Sequence, residues 1–342
     1  MNTLVASSYG RNGSSSRVRL YDWMDHLKLQ FKELNYIDSA DNSFSTLVRS
    51  PLKVLAAEQK LRTERPSDRT RVILSRRASP FSNGAAEEKL LRNAGLGIYD
   101  FDDSIMSVSP EGTQRIWSIS RAWNRSVRAA DIVIAGNDYL ANAAAEVNSN
   151  VVVIPSCVEL ADYQVKTDYT IEDPAIVWIG SPSTEKYLLK IAQALLRVHE
   201  ETGARLRVIS SGSASLGPLE VMVDRISWRP DTYSSELASA DVGIMPLPDN
   251  EWSRGKCAYK LLQYGAAALP MVGSPVGANR HLLEASNALG PENVGEWTDS
   301  LLEVLALTTN ERALLGRTAR SVIEADYSFD AWSDSWSRAV QL

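Results

Sequence analysis

Four consecutive β-branched residues, Val151-Val152-Val153-Ile154, stand between two polar stretches. A strand that is apolar on both faces must be covered on both, and parallel sheets flanked by helices supply that cover. Similar short runs recur along the chain: Thr3–Ser7, Arg71–Ser75, Leu96–Phe101, Ile132–Ala135, Ile176–Ile179, Leu206–Ser210, Val242–Met245 and Met271–Gly273. Amphipathic stretches separate them, as in Glu185–His199, where Leu188, Ile191, Leu195 and Val198 recur at spacings of three and four. Strand and helix in alternation predict an α/β fold with parallel sheets. The rhythm pauses once, over the polar residues 156–174, and restarts at Ala175. We therefore expect two Rossmann-like domains, 1–157 and 175–326, with a linker at 158–174. The tail, 327–342, carries Phe329, Trp332 and Trp336 at helical spacing and is expected to dock as a helix on the first domain.

Length agrees: 342 residues at roughly 150 per domain suggest two. Composition removes several function classes. With 36 basic and 42 acidic residues the net charge is −6, unlike a general nucleic-acid binder. Two cysteines, Cys157 and Cys257, and three scattered histidines make neither a disulfide framework nor a metal-ligand pattern, so no metal site is expected. No uncharged apolar run approaches the ~18 residues of a spanning helix, and Met1–Gly13 lacks the basic start and apolar core of a signal peptide. A cytoplasmic protein without an integral membrane segment is expected; monomer and homodimer both stay open.

Chemistry is expected where strands end. Ser7–Arg19 (SSYGRNGSSSRVR) follows the first strand. Gly10 and Gly13 permit a tight turn with positive φ, and Gly13, Ser14 and Arg17, with Arg19 nearby, suit an anion at a helix start. The spacing is not that of a dinucleotide fingerprint, and a solvated turn is the plainer alternative. Tyr99-Asp100-Phe101-Asp102-Asp103 crowds three carboxylates at a strand end, an arrangement for acid–base work or sugar hydroxyls unless the aspartates merely cap a turn. Gly180 and Ser181, with Lys186 in the next turn, close another strand, and Ser210-Ser211-Gly212-Ser213 repeats the theme. Trp228 is placed to pack on a planar ring. The richest stretch is Asp249–Gly277. A helix starting near Ser253 or Gly255 would set Lys256, Lys260 and Gln263 on one face, a cradle for a diphosphate.

These segments resemble the GT-B-fold glycosyltransferases of family 4, retaining enzymes that take a sugar from a nucleotide-sugar donor. The resemblance spans nearly the whole chain and is strongest over Ala240–Gly277; YDFDD at 99–103, ADIVIAGNDYLAN at 130–142, VVVIPSCVEL at 151–160 and YSFDAW at 327–332 are also similar. It implies two domains facing across a cleft, with the last helix crossing back to the first. The family's Glu-x7-Glu motif falls on Gly255 and Gln263, so both glutamates are absent. Gln263 still offers an amide for the donor ribose, and Gly255-Lys256 resembles a subgroup with a Gly-Lys pair in this loop. Ser181 stands where the family's diphosphate arginine is expected, Lys186 remains, and Arg254, Lys256 or Lys260 are expected to supply the lost charge.

The resemblance implies a hexosyl transfer with retention, in which the leaving phosphate oxygen takes the acceptor's proton. That needs cations and helix N-termini around a diphosphate rather than a strong base or a metal. Asp102, Asp103, Lys256 and Lys260 are the expected catalytic residues. Gly13, Ser14, Arg17, Gly180, Ser181, Lys186, Ser211, Trp228, Arg254, Gly255 and Gln263 are expected at the donor. The expected partners are a nucleotide sugar as co-substrate and a small-molecule acceptor such as a secondary-metabolite precursor, with no further cofactor. An epimerase or phosphorylase on the same fold, or a non-catalytic nucleotide-sugar binding protein, stays open.

Overall fold

A computed structural model describes residues 1–36, 47–109 and 116–342. The chain divides into two compact units. One comprises Met1–Cys157, Arg254–Cys257 and Trp332–Leu342; the other comprises Val158–Ser253 and Ala258–Ala331.

The first unit holds a six-stranded parallel sheet: β1 (Asn2–Ser7), β2 (Phe31–Asn35), β3 (Thr70–Ser75), β4 (Leu96–Phe101), β5 (Ile132–Ala135) and β6 (Val151–Val153), in the order β2-β1-β3-β4-β5-β6. The second holds a five-stranded parallel sheet: β7 (Ala175–Ile179), β8 (Arg205–Ser210), β9 (Val223–Ser227), β10 (Val242–Met245) and β11 (Met271–Gly273), in the order β11-β10-β7-β8-β9. In each sheet the chain adds strands outward on one side and then jumps to the other. The jump falls between β1 and β3 in the first unit and between β7 and β10 in the second. Loops diverge at such points and leave room for a ligand at the strand C-terminal ends. Central strands are buried along their whole length, β4 and β7 at every residue.

The α/β expectation holds, with corrections in detail. β2 (FKELN) and β9 (VDRIS) escaped the sequence reading because both are edge strands, whose exposed rims carry charged residues. The stretch 158–174, expected as a linker, is packed into the second unit: Tyr163 and Tyr169 are buried, and the Tyr169 hydroxyl donates to the Ala268 carbonyl at 2.8 Å. The helix expected over Glu185–His199 is a 3-10 segment over Pro182–Ile191, continued as an α-helix over Ala192–Thr202, with the expected apolar face inward. Gly10 takes positive φ, whereas Gly13 does not; its lack of a side chain matters because a Cβ would collide with Tyr9.

The tail forms helix Phe329–Ala339. Its three aromatics do not share one role. Phe329 belongs to the second unit, where its N–H donates to the Val158 carbonyl at 3.4 Å. Trp336 belongs to the first and stacks on Trp23, ring centroids 5.1 Å apart and planes within 10°. Ser333 bonds His26 at 3.1 Å, and the Gln341 carbonyl accepts from Arg71 at 2.5 Å. Trp336 is fully buried, and Trp332 only partly. Trp336→Ala is therefore expected to lower stability by about 3–5 kcal/mol, and Trp332→Ala by clearly less. Urea unfolding of the two variants checks this; equal losses would contradict it.

Candidate functional site

In the second unit, β7 and β10 pair only over Ile176–Val177 and Val242–Gly243 before they part. The Tyr264 hydroxyl fills the parting: it accepts from the Ile179 N–H at 3.2 Å and donates to the Ile244 carbonyl at 3.0 Å. Its ring lies against Gly243, where any Cβ would stand about 2.5 Å from it. Tyr264 sits on helix Tyr259–Ala266, one turn after Lys260. Residues four apart share a helix face, so the bonded phenol sets the direction of Lys260. That lysine lies beside the end of β7: its Nζ is 5.3 Å from the Trp178 ring centroid, and a Cβ on Gly180 would stand 2.8 Å from its Cε. The helix N-terminus has no side-chain cap, and Ala258 before it has φ +55°.

Other expected donor residues also belong to the second unit. Ser181 begins the 3-10 segment, its hydroxyl near those of Ser183 and Thr184 at 3.1 and 3.4 Å. Trp228, exposed at the end of β9, stacks on Tyr233. Gln263 is buried, as is the Tyr163 phenol. Burial raises that phenol well above the usual tyrosine range, so it stays neutral. Lys186 is exposed, its ammonium 5.7 Å from the Tyr187 ring, and Ser211 is exposed at the end of β8. The structure brings Gly180, Ser181 and Lys260 together; it shows no bond from Lys186 or Ser211 to that group.

The expected single helix face for both lysines is corrected. A short helix covers Glu251–Arg254, and the next starts only at Tyr259. The positive φ of Ala258 breaks the chain between them, so Lys256 lies in the intervening loop and in the first unit.

There Lys256 donates to Asp103 at 2.6 Å. Asp103 is shared, since Arg76 stands 3.0 Å from its other oxygen and 4.0 Å from Asp102. Arg76 directly follows β3 with φ +59° and also donates to the Ser15 hydroxyl at 3.0 Å. This joins the loop after β1 to the end of β3, where the first sheet changes direction. Burial works against the Arg76 charge, but Asp103 and Asp102 outweigh it and raise its pKa. Cys257 donates from its thiol to the Asp102 carbonyl at 3.4 Å; burial pushes that thiol up, so it is the neutral donor. Asn137 donates to the Lys256 carbonyl at 3.0 Å and the Arg254 carbonyl at 3.4 Å. Gly255 is buried against Ser104, where a Cβ would stand 2.6 Å from the backbone nitrogen.

Arg76, Asn137 and Tyr264 were missed. Arg76 had a signal, a basic residue directly after a strand; the other two follow only from the fold. Arg19, expected to add charge beside Gly13, Ser14 and Arg17, is instead fully buried. It grips Asp100 through Nε and Nη2 at 3.1 and 2.6 Å and donates to the Ile154 carbonyl at 2.8 Å. It sits in a π-helical turn, Arg17–Tyr21, within an otherwise α-helical run; Arg17 is half-buried and Ser14 exposed. Burial pushes the Asp100 carboxyl up to about 6, and Arg19 opposes that rise. Arg19→Met strands the buried carboxylate and is expected to cost about 3–5 kcal/mol. The double variant Arg19→Met/Asp100→Leu should recover most of the loss in urea unfolding. No recovery would show that the pair holds the unit together by more than mutual neutralisation.

Among the described residues no cluster of His, Cys, Asp and Glu could hold a metal ion, and no helix is long and apolar enough to cross a membrane.

Comparison with known proteins bears on the fold. Residues 173–306 match the family model of the glycosyl transferases group 1. Among solved structures, sucrose-phosphate synthase from Thermosynechococcus elongatus superposes with a TM-score of 0.74 at 12% identity, covering 100% of this chain and 98% of that one. HepE from Anabaena in complex with UDP-glucose gives 0.69 at 14% identity, with 100% and 99% covered. An α,α-trehalose-phosphate synthase (UDP-forming) from Burkholderia vietnamiensis gives 0.64 at 12%, with 100% of both chains covered. No curated protein matches by sequence. The fold is the α/β architecture of two parallel sheets found in GT-B glycosyltransferases.

Proposed function

We propose that this chain is a glycosyltransferase that moves a sugar from a nucleoside diphosphate sugar to a small-molecule acceptor with retention of configuration. The observation that carries the reading is Lys260, in the first turn of a helix without a side-chain cap, beside Gly180 where the second sheet changes direction. A helix start and an ammonium at a switch point suit an anion. The group 1 match over 173–306 and the UDP-sugar held by the similar HepE structure support a diphosphate there.

In this reading Gly180, Ser181 and Lys260 hold the diphosphate. Trp228 offers its exposed ring to the base, and Gln263 turns its amide to the ribose. Lys186 and Ser211 of the second unit are proposed at the margin of the donor, and Arg254 is proposed as a further cation of the first unit. Gly13, Ser14 and Arg17 belong to the first unit and are proposed as further anion-binding residues there. Lys256, oriented by Asp103 within the first unit, and the neighbouring Asp102 are proposed to act in the transfer.

As the bond from the sugar to the phosphate oxygen breaks, negative charge builds on the diphosphate and the sugar takes on oxocarbenium character. The acceptor hydroxyl bonds to the anomeric carbon on the face the leaving group vacates, and its proton passes to the phosphate oxygen. Fixed cations act most strongly on charge that develops during the reaction. With lysines in that role no metal is required, and turnover is expected to be unchanged by EDTA.

Turnover of UDP-, GDP-, ADP- and dTDP-sugars, with the product's anomeric configuration read by NMR, tests the reading. Lys260→Ala and Lys256→Ala should each lower turnover by about 10²-fold, the range for losing one stabiliser of developing charge. Wild-type turnover in Lys260→Ala, or an inverted product, would contradict it. Asp103→Asn should lower turnover as well, because Lys256 loses its charged partner; normal turnover would leave Asp103 a structural residue.

A further inference from the structure

The loop Gly255–Cys257, which follows the short helix Glu251–Arg254, has no regular secondary structure, so the carbonyls here and at the helix end need partners from elsewhere. Two are met by one side chain. The Asn137 amide donates to the Lys256 carbonyl at 3.0 Å and the Arg254 carbonyl at 3.4 Å, and lies 3.8 Å from the Cys257 sulfur. The same side chain is the N-cap of helix Asp138–Ala145: its oxygen accepts from the Leu140 N–H at 2.9 Å. Asn137 is 93% buried, so little water reaches either half. The surroundings have been cut to fit. Gly136, just before it, lies so close to the Cys257 sulfur that a Cβ there would collide. Gly255 lies similarly close to Ser104.

We propose that Asn137 is a positioning residue for sugar transfer: its oxygen caps the helix while its nitrogen holds the loop that aims Lys256. The inference rests on the reading of Lys256 given above. The two halves of the amide do separable work, which makes the idea testable. Asn137→Asp keeps the cap, since aspartate and asparagine cap equally well, but removes the donor and turns an anion toward two carbonyls. Asn137→Ser also keeps a capping oxygen, without adding charge.

The experiment is hydrogen exchange with mass spectrometry on the full chain, alongside steady-state kinetics with the nucleotide sugar that the wild type uses. In both variants the amides of residues 255–257 should exchange about tenfold faster or more. Those of helix Asp138–Ala145 should be unchanged. A single hydrogen bond is worth roughly a factor of ten in an equilibrium, so kcat should fall about tenfold while KM for the donor changes little. In a Lys256→Ala background the Asn137 substitutions should cause no further loss, because they act through that lysine. Unchanged exchange at 255–257 would overturn the clamp whatever the activity. Faster exchange with unchanged kcat, or a full additional loss in the Lys256→Ala background, would overturn its role in catalysis. A wild type inert toward every nucleotide sugar would instead overturn the glycosyltransferase reading, with the exchange result standing apart.

Discussion

Two parallel strands that part must leave backbone groups behind, and the second unit depends on how that gap is closed. Where β7 and β10 separate, the Ile179 N–H and Ile244 carbonyl would face each other unbonded. The Tyr264 hydroxyl satisfies both, and a phenol is suited to this because it donates and accepts at one atom. The bond fixes helix Tyr259–Ala266 against the sheet, and with it the lysine one turn earlier. A buried interaction that completes the sheet thus also sets the geometry of the candidate anion site.

In the first unit β1 and β3 stay paired, and the corresponding point is occupied by charge. Arg76, held at positive φ, spans from Ser15 after β1 to Asp103 after β4, and Asp103 in turn holds Lys256. One buried carboxylate shared by two cations orients both of them. Charge is thereby stored beside the loop Gly255–Cys257 without being left unpaired, as buried charge must be.

Much of this was legible. Nine strands are legible as apolar runs, the edge strands β6 and β11 among them, whereas the edge strands β2 and β9 carry charged residues and give no such run; β6, expected from sequence to be covered on both faces, is instead a half-buried edge strand. Strand ends marked Gly180, Ser181 and the aspartates as candidate positions. The helix over 253–263 misled, because its spacing fits a helix and nothing local reveals the positive φ of Ala258. Lys256 and Lys260 therefore look like one cradle in sequence and fall in different units in the structure. The partners of Lys256 were hidden for another reason: Asp103 and Asn137 lie more than a hundred residues away, and only the packing of β4 and β5 brings them near. Arg19 shows the reverse error. Next to a glycine-serine turn it reads as part of an anion site, yet burial leaves it to neutralise Asp100.

In the function proposed above, a nucleoside diphosphate binds the second unit at the point where its sheet changes direction. A crystal structure of the chain with UDP, or whichever nucleoside diphosphate raises its melting temperature most, tests this directly. The account predicts diphosphate density within hydrogen-bonding distance of the Lys260 ammonium and the first-turn amides of helix Tyr259–Ala266, with Gly180 beneath it. A diphosphate seated elsewhere, with Lys260 still against Trp178 and no phosphate oxygen near it, would contradict the account.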